Sequence, residues 1–283
     1  MSVLQTVLDP LAFPFFVRAL AASLIVGLVC ATVGSYMVLR GLAFMGDALS
    51  HSAFPGVVVA YMIKAPLYFG ASIAAVGTAL AIGWLTRQGR LRSDTAIGVL
   101  FAAMFALGIF LFSTIPNYVG DLFGFLFGDV LGISYGDLLS LAVLAAIVLA
   151  TVLVFWKELL YATFDPLGAA ASGLPVGRLD YVLLALIALT IVMSLQSVGI
   201  ILVVAMLITP AATAQLVSRS FGRLVATAGL IGAVCPIVGL YLSYWLNSAS
   251  GATVVLVESA LFAIVLAGTS LSARLRRPIP QAD

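Results

Sequence analysis

Charged residues are scarce in this sequence. Lys and Arg total 13 and Asp and Glu total 11, or 8% of 283 residues, whereas about a quarter of the residues in soluble domains are charged. Hydrophobic residues make up 63% of the chain, so we interpret it as a polytopic membrane protein. The net charge is only +2 and the basic residues form no patch, which excludes a nucleic-acid-binding surface.

Several catalytic motifs are absent as well. Lys64 and Lys157, the only lysines, do not follow a glycine, so there is no Walker A motif and no ATP hydrolysis through a P-loop. His51 is the only histidine, which excludes HExxH and a catalytic zinc site. Without these motifs we expect no enzyme. Cys30 and Cys235 lie in separate apolar runs and are expected to be buried packing residues.

Long apolar runs dominate the rest of the chain. Each has roughly 20 residues, the length of a helix that crosses a bilayer, and none alternates as a barrel strand does. We expect an all-α bundle of about nine transmembrane helices; eight is the alternative count, because the second and sixth runs are the weakest. The runs are Ala19–Leu39, Phe44–Ile63, Leu67–Thr86, Ala96–Ile115, Leu138–Trp156, Tyr181–Leu195, Gly199–Val217, Leu224–Leu246 and Ala252–Leu271.

The basic residues predict the orientation of the bundle. Arg87–Arg92 and Arg274–Arg277 are expected in the cytoplasm, which places the third loop and the C-terminus there. No Lys or Arg occurs between Arg92 and Lys157, so this middle segment should face outward. Its aromatic, Gly-rich stretch Tyr118–Ile133 is favoured as an interfacial turn. The weaker reading is an outer pore mouth where Asp121 and Asp129 attract cations.

The segment 161–178 predicts a short helix on the cytoplasmic face. Asp165 can cap it with Pro166 at its first position, and Gly173 can end it in a left-handed conformation, with Pro175 following. An inert connector is the alternative. An uncharged, alanine-rich surface helix is better explained as a docking element for a partner protein.

Asp47 and His51 are the main candidates for function. Four residues apart, they share one face of a helix, and a carboxylate within a membrane span indicates a functional site. An oxygen and an imidazole nitrogen suit a divalent first-row metal. Pro55 has no N–H for the carbonyl of His51, so we predict a kinked ion pathway there. A structural hydrogen-bonded pair and a proton relay are the alternatives.

Two further positions are less informative. Pro210 should free the carbonyl of Met206 in the same way, and a kink needed only for packing is as good an explanation as a pathway role. Glu258 lies in the last apolar run, and we interpret it as structural.

Three motifs together resemble the ABC-3 family, the membrane permeases of bacterial zinc and manganese ABC importers. They are Phe44–His51, Asp121–Asp129 and Leu207–Ala214, they occur in the family's order, and the resemblance extends from about Arg18 to Leu271. Glu258 departs from the family pattern, in which that position is usually uncharged.

The resemblance implies a type II permease fold like that of the vitamin B12 importers, with residues 1–283 forming one transmembrane permease domain. It implies a permease dimer in the bacterial cytoplasmic membrane, two cytoplasmic ATPase subunits and an extracytoplasmic metal-binding protein. No cofactor is bound permanently. The family's metal positions match Asp47 and His51, and its coupling helix matches 161–178, where the residues assigned to coupling are Asp165, Gly168, Ala170, Gly173 and Pro175.

The expected cargo is Mn²⁺ or Zn²⁺, with Fe²⁺ ranked below them. The runner-up function is a proton-coupled secondary transporter that uses Asp47 and His51 as a relay and needs no ATPase. The third candidate function is a membrane scaffold or sensor without transport. In that case Asp47→Asn should leave function intact.

The orientation yields a direct prediction. In a background with Cys30→Ala and Cys235→Ala, an impermeant thiol reagent should label Asn117→Cys from outside the cell and should not label Gly89→Cys, because the basic loop is retained in the cytoplasm. Labelling of the variant at Gly89 from outside would refute the orientation.

Overall fold

The computed structural model describes residues 9–89, 91–115 and 132–275, and these residues form an all-helical bundle without strands. Within these described residues, a 3-10 turn, Pro10–Ala12, precedes twelve helices. They are α1 (Pro14–Leu39), α2 (Ala43–Ser52), α3 (Phe54–Met62), α4 (Leu67–Arg87), α5 (Ser93–Ser113), α6 (Tyr135–Val154), α7 (Trp156–Phe164), α8 (Pro166–Ala171), α9 (Val176–Val198), α10 (Ile200–Val217), α11 (Phe221–Leu246) and α12 (Ser250–Leu275).

Eight continuous helices in the described part of the chain are long and apolar enough to cross a membrane: α1, α4, α5, α6, α9, α10, α11 and α12. The predicted second run is different, because it divides into α2 and α3, which have 10 and 9 residues. At 1.5 Å per residue the two together are about 30 Å long, roughly the thickness of a bilayer's hydrocarbon core. The all-α membrane fold is thus confirmed, and the broken pair accounts for the ninth run.

Helix α1 occupies the centre of the bundle and packs against α10 and α11 at glycines. A Cβ on Gly27 would collide with the carbonyl oxygen of Gly232 in α11, and a Cβ on Gly34 would collide with that of Leu207 in α10. Helices in a bilayer gain little from the hydrophobic effect between them, so this close backbone approach supplies much of their attraction.

The two cysteines are buried, and most of the outer segment lies outside the described residues. Cys30 and Cys235 are free thiols and both are buried, as predicted. The stretch Tyr118–Ile133 lies outside the described residues except for its last two, so the interfacial turn and the roles of Asp121 and Asp129 stay predictions.

The glycine contacts predict a contrast between two Gly→Ala variants. Gly27→Ala should destabilise the purified protein by about 1–3 kcal/mol, the usual cost of forcing a methyl group into a packed interface. Gly77→Ala is the matched control: it lies inside α4, its Cβ meets nothing within 4 Å, and it should be neutral or stabilising by about 0.5–1 kcal/mol. Thermal unfolding in detergent measures both, and equal melting temperatures would contradict the packing account.

Candidate functional site

Asp47 and His51 project from one face of α2 that the rest of the chain leaves partly open. His51 Nε2 lies 3.5 Å from Asp47 Oδ1, and the side chains are 28% and 54% exposed respectively. Phe44, one turn before Asp47, is 76% exposed. The neighbouring residues Met45, Ala48 and Leu49 are buried. The helix therefore buries its apolar side and presents the carboxylate and the imidazole outward.

The 3.5 Å separation is long for a hydrogen bond and is also compatible with two ligands of one ion. Two ligand atoms each about 2.1 Å from a tetrahedral ion are roughly 3.4 Å apart. The described residues contain no group of three or more His, Cys, Asp or Glu side chains that could hold a metal ion. One chain thus places two adjacent candidate ligand atoms on one helix face.

Two aromatic rings that the sequence analysis did not identify hold the imidazole. The His51 ring makes T-shaped contacts with Phe101 and Phe105 of α5. Its centroid lies 5.5 Å from that of Phe101 and 5.2 Å from that of Phe105. The two phenylalanines stack on each other at 6.0 Å. Because the two phenylalanines are four residues apart, both lie on one face of the helix. Such spacing is common in apolar spans, so the sequence did not show that these rings contact His51.

Helix α2 is interrupted directly after these two residues. It ends at Ser52 and α3 begins at Phe54, with Pro55 in the first turn of α3. Helical hydrogen bonds continue through the interruption, because Ala53 N–H donates to Leu49 O and Val57 N–H donates to Ala53 O, both at 3.1 Å. Ala53 itself keeps helical backbone angles, so the interruption is local. A kinked ion pathway at Pro55 stays a prediction.

The predicted surface helix is present as α8. Asp165 Oδ1 accepts a hydrogen bond from Gly168 N–H at 2.8 Å, Pro166 is the first helical residue, and Gly173 has a φ of +82°. Sterics favour glycine at position 168, because a Cβ there would collide with the carboxylate of Asp165 that caps the helix. Helices α7 and α9 occupy the two ends of the predicted 161–178 loop.

The exposed surface of this segment is apolar. Leu167 is 83% exposed and Phe164 is 62% exposed, Ala170 is exposed, and Ala169 on the opposite side is buried. Pro175 is exposed and immediately precedes α9. Exposed apolar residues at a helix outside the long spans are the kind of surface that binds another protein.

The other predicted positions lie on other helices. Pro210 is buried inside α10, which continues through it from Ile200 to Val217. Glu258 of α12 is fully buried, and neither carboxylate oxygen has a hydrogen-bond partner among the described residues. The structure thus brings Asp47 and His51 together just before the interruption at Ala53, whereas Pro210 and Glu258 belong to α10 and α12.

Comparison with known proteins indicates one family. Residues 12–269 match the model of the ABC 3 transport family. The chain is 45% identical over 254 residues to the manganese transport system membrane protein MntC of Halalkalibacterium halodurans, covering 90% of this chain and 87% of that protein. It is 40% identical over 258 residues to the chelated iron transport system membrane protein YfeD of Yersinia pestis, covering 91% and 86%.

A solved structure shows the same architecture. In PsaBC from Streptococcus pneumoniae in complex with Fab, one chain superposes with a TM-score of 0.82 at 36% identity, covering 93% of this chain and 95% of that one.

Proposed function

The chain belongs to the ABC 3 transport family, and from this premise we propose that it is the permease subunit of an importer for a divalent first-row metal ion. In this proposal a separate subunit hydrolyses ATP, and the permease carries the ion through the cytoplasmic membrane with its C-terminus in the cytoplasm. Mn²⁺ is the first candidate cargo, because the relatives reported above are manganese and iron proteins. Zn²⁺ and Fe²⁺ are the other candidates, because an imidazole ligand also suits both and one reported relative is an iron transport protein.

The exposed Asp47 carboxylate carries the proposal. It belongs to a helix of an apolar membrane bundle, yet 54% of its side chain lies open in the single chain. Facing lipid would be costly for a carboxylate, so water, an ion or another protein surface has to cover it. An ion pathway provides such a polar environment, and the adjacent His51 nitrogen adds a second ligand for the ion.

A second copy of the chain completes the site. A two-fold axis beside this face of α2 brings two carboxylates and two imidazoles together, which makes four ligands for one ion. The partly open ligands of each copy would be covered by the other copy. A binding site built from these four side chains is more open than a closed structural metal site. This suits transport, because the ion has to bind well enough to enter and weakly enough to leave.

ATP hydrolysis on a partner protein drives the transport. The chain has no P-loop lysine, so ATP hydrolysis is assigned to two cytoplasmic ATPase subunits that bind the apolar surface of α8. In this scheme Asp165, Gly168, Ala170, Gly173 and Pro175 maintain the shape and surface of the docking segment. An extracytoplasmic binding protein delivers the ion to the outer face.

Replacing either ligand should remove transport without removing the protein. Asp47→Asn keeps the shape of the side chain and deletes its charge, and His51→Leu deletes a nitrogen ligand. Each should reduce Mn²⁺ uptake per folded permease by about tenfold or more, since disturbing even outer-shell partners of metal ligands costs 10–100-fold. Phe44→Leu is the matched control, because it lies exposed on the same face without a ligand atom and should leave uptake unchanged.

A purely structural pair gives the opposite pattern. In that case the two variants would show lower expression and a lower melting temperature, while uptake per folded permease would stay normal. Uptake that continues without ATP hydrolysis and follows a proton gradient would instead favour the secondary transporter.

The docking surface can be tested with a single charge. Ala170→Arg places a cation in the proposed contact but leaves the fold intact, because Ala170 is exposed. We expect loss of co-purification with the ATPase and of ATP-dependent uptake. Gln88→Arg adds the same charge at an exposed position outside α8 and should have no effect. Normal ATPase binding by the Ala170 variant would rule out α8 as the docking element.

A further inference from the structure

Arg40 connects three parts of the chain that the proposed function needs to move together. It follows α1 and lies in the turn before α2. Its Nε donates to Thr163 Oγ1 at 3.0 Å, and its Nη1 donates to Asp180 Oδ1 at 2.6 Å. Thr163 lies in the last turn of α7 and Asp180 in the second turn of α9. One guanidinium therefore joins the α1–α2 turn to the helices on both sides of α8.

These contacts are strong ones. Arg40 and Asp180 form an ion pair whose side chains are only 15% and 30% exposed, so water screens their attraction weakly. A charge-assisted hydrogen bond of this length is roughly twice as strong as a neutral one. The planar guanidinium also fixes the direction of both bonds, which lysine would not do.

On one side the link leads to the metal ligands. Two hydrogen bonds close the turn after Arg40: Gly41 has a φ of +68°, Gly41 N–H donates to Val38 O at 3.1 Å, and Leu42 N–H donates to Met37 O at 3.0 Å. Helix α2 starts at the following residue and carries Asp47 after little more than one turn. A displacement of Arg40 is therefore passed to the helix that bears Asp47 and His51.

On the other side the link leads to α8. Thr163 lies two residues before Asp165, whose carboxylate caps α8 through Gly168 N–H. A cavity of about 360 Å³ lies between these elements, and Arg40, Met45, Thr163, Pro166 and Asp180 are among its lining residues. Helix α9 also packs directly on α1 and α2, and α7 packs on α1 and α9. Along the cavity the contacts of Arg40 add directional polar links between these same elements.

We propose that Arg40 is a positioning residue that couples α8 to α2. When an ATPase moves α8, the contacts of Arg40 with Thr163 and Asp180 carry the displacement to α2 and change the position of Asp47 and His51. This inference rests on the proposed function, because it assumes an ATPase on α8 and an ion on α2. Its specific content is that Arg40 is needed for coupling and not for metal binding or ATP hydrolysis.

The test compares transport with ATP consumption in proteoliposomes containing the permease complexed with its ATPase, with Mn²⁺ as the probe. Arg40→Gln, Asp180→Asn and the double variant remove the pair from either side. Arg87→Gln is the control, because Arg87 lines the same cavity but lies over the Tyr181 ring, with 5.5 Å between Cζ and the ring centroid. Arg40→Lys keeps the charge and loses the guanidinium geometry.

We expect the Arg40 and Asp180 variants to assemble and hydrolyse ATP, while Mn²⁺ ions transported per ATP fall by about fivefold or more, the lower limit of typical coupling between sites. The double variant should be no worse than either single one, since both remove the same link. Arg40→Lys should recover part of the ratio, and Arg87→Gln should match the wild type.

Two results would overturn the inference alone. One is an unchanged ratio in Arg40→Gln. The other is a parallel fall in assembly, ATP hydrolysis and uptake, which indicates a structural anchor. A wild-type complex without ATP-dependent uptake would overturn the proposed function and this inference with it.

Discussion

A peptide group that leaves its helix inside a bilayer has to find another hydrogen-bond partner, and this requirement determines where the chain can bend. Between α2 and α3 the cost is small, because Pro55 has no N–H to satisfy and Ala53 still bonds to Leu49 O. The interruption leaves a ten-residue helix that carries Asp47 and His51 on its open face while most of its other residues pack inside the bundle. In α10 the helix instead continues through Pro210, which packs into the interior.

Three regions of the bundle have separable roles in this account. The glycine contacts of α1 with α10 and α11 form a frame in which a single added methyl group has no space. The open face of α2 supplies ligands, and the apolar surface of α8 supplies a binding surface. Arg40 lies where α1, the helix that bears Asp47 and His51, and the docking segment meet, so its two hydrogen bonds add a polar link between helices that also pack on one another.

Local signals in the sequence predicted the helix cap and the helix interruption, whereas the contacts between residues far apart in the chain could not be predicted. The cap of α8 and the interruption beside Pro55 follow from Asp165, Pro166 and Pro55, whose effects reach only a few residues. The partners of Arg40 lie 123 and 140 residues away, and the rings around His51 lie 50 or more residues away in α5. Nothing in an apolar run distinguishes Phe101 and Phe105 from other aromatic residues.

The central claim is that Asp47 and His51 of two chains form one metal site. Pulsed electron paramagnetic resonance of Mn²⁺ bound to the purified complex, combined with metal analysis, tests it most directly. The account predicts one Mn²⁺ per two permease chains and a nitrogen modulation from the imidazole that disappears in His51→Leu. One ion per chain, or a spectrum without nitrogen coupling in the wild type, would contradict it.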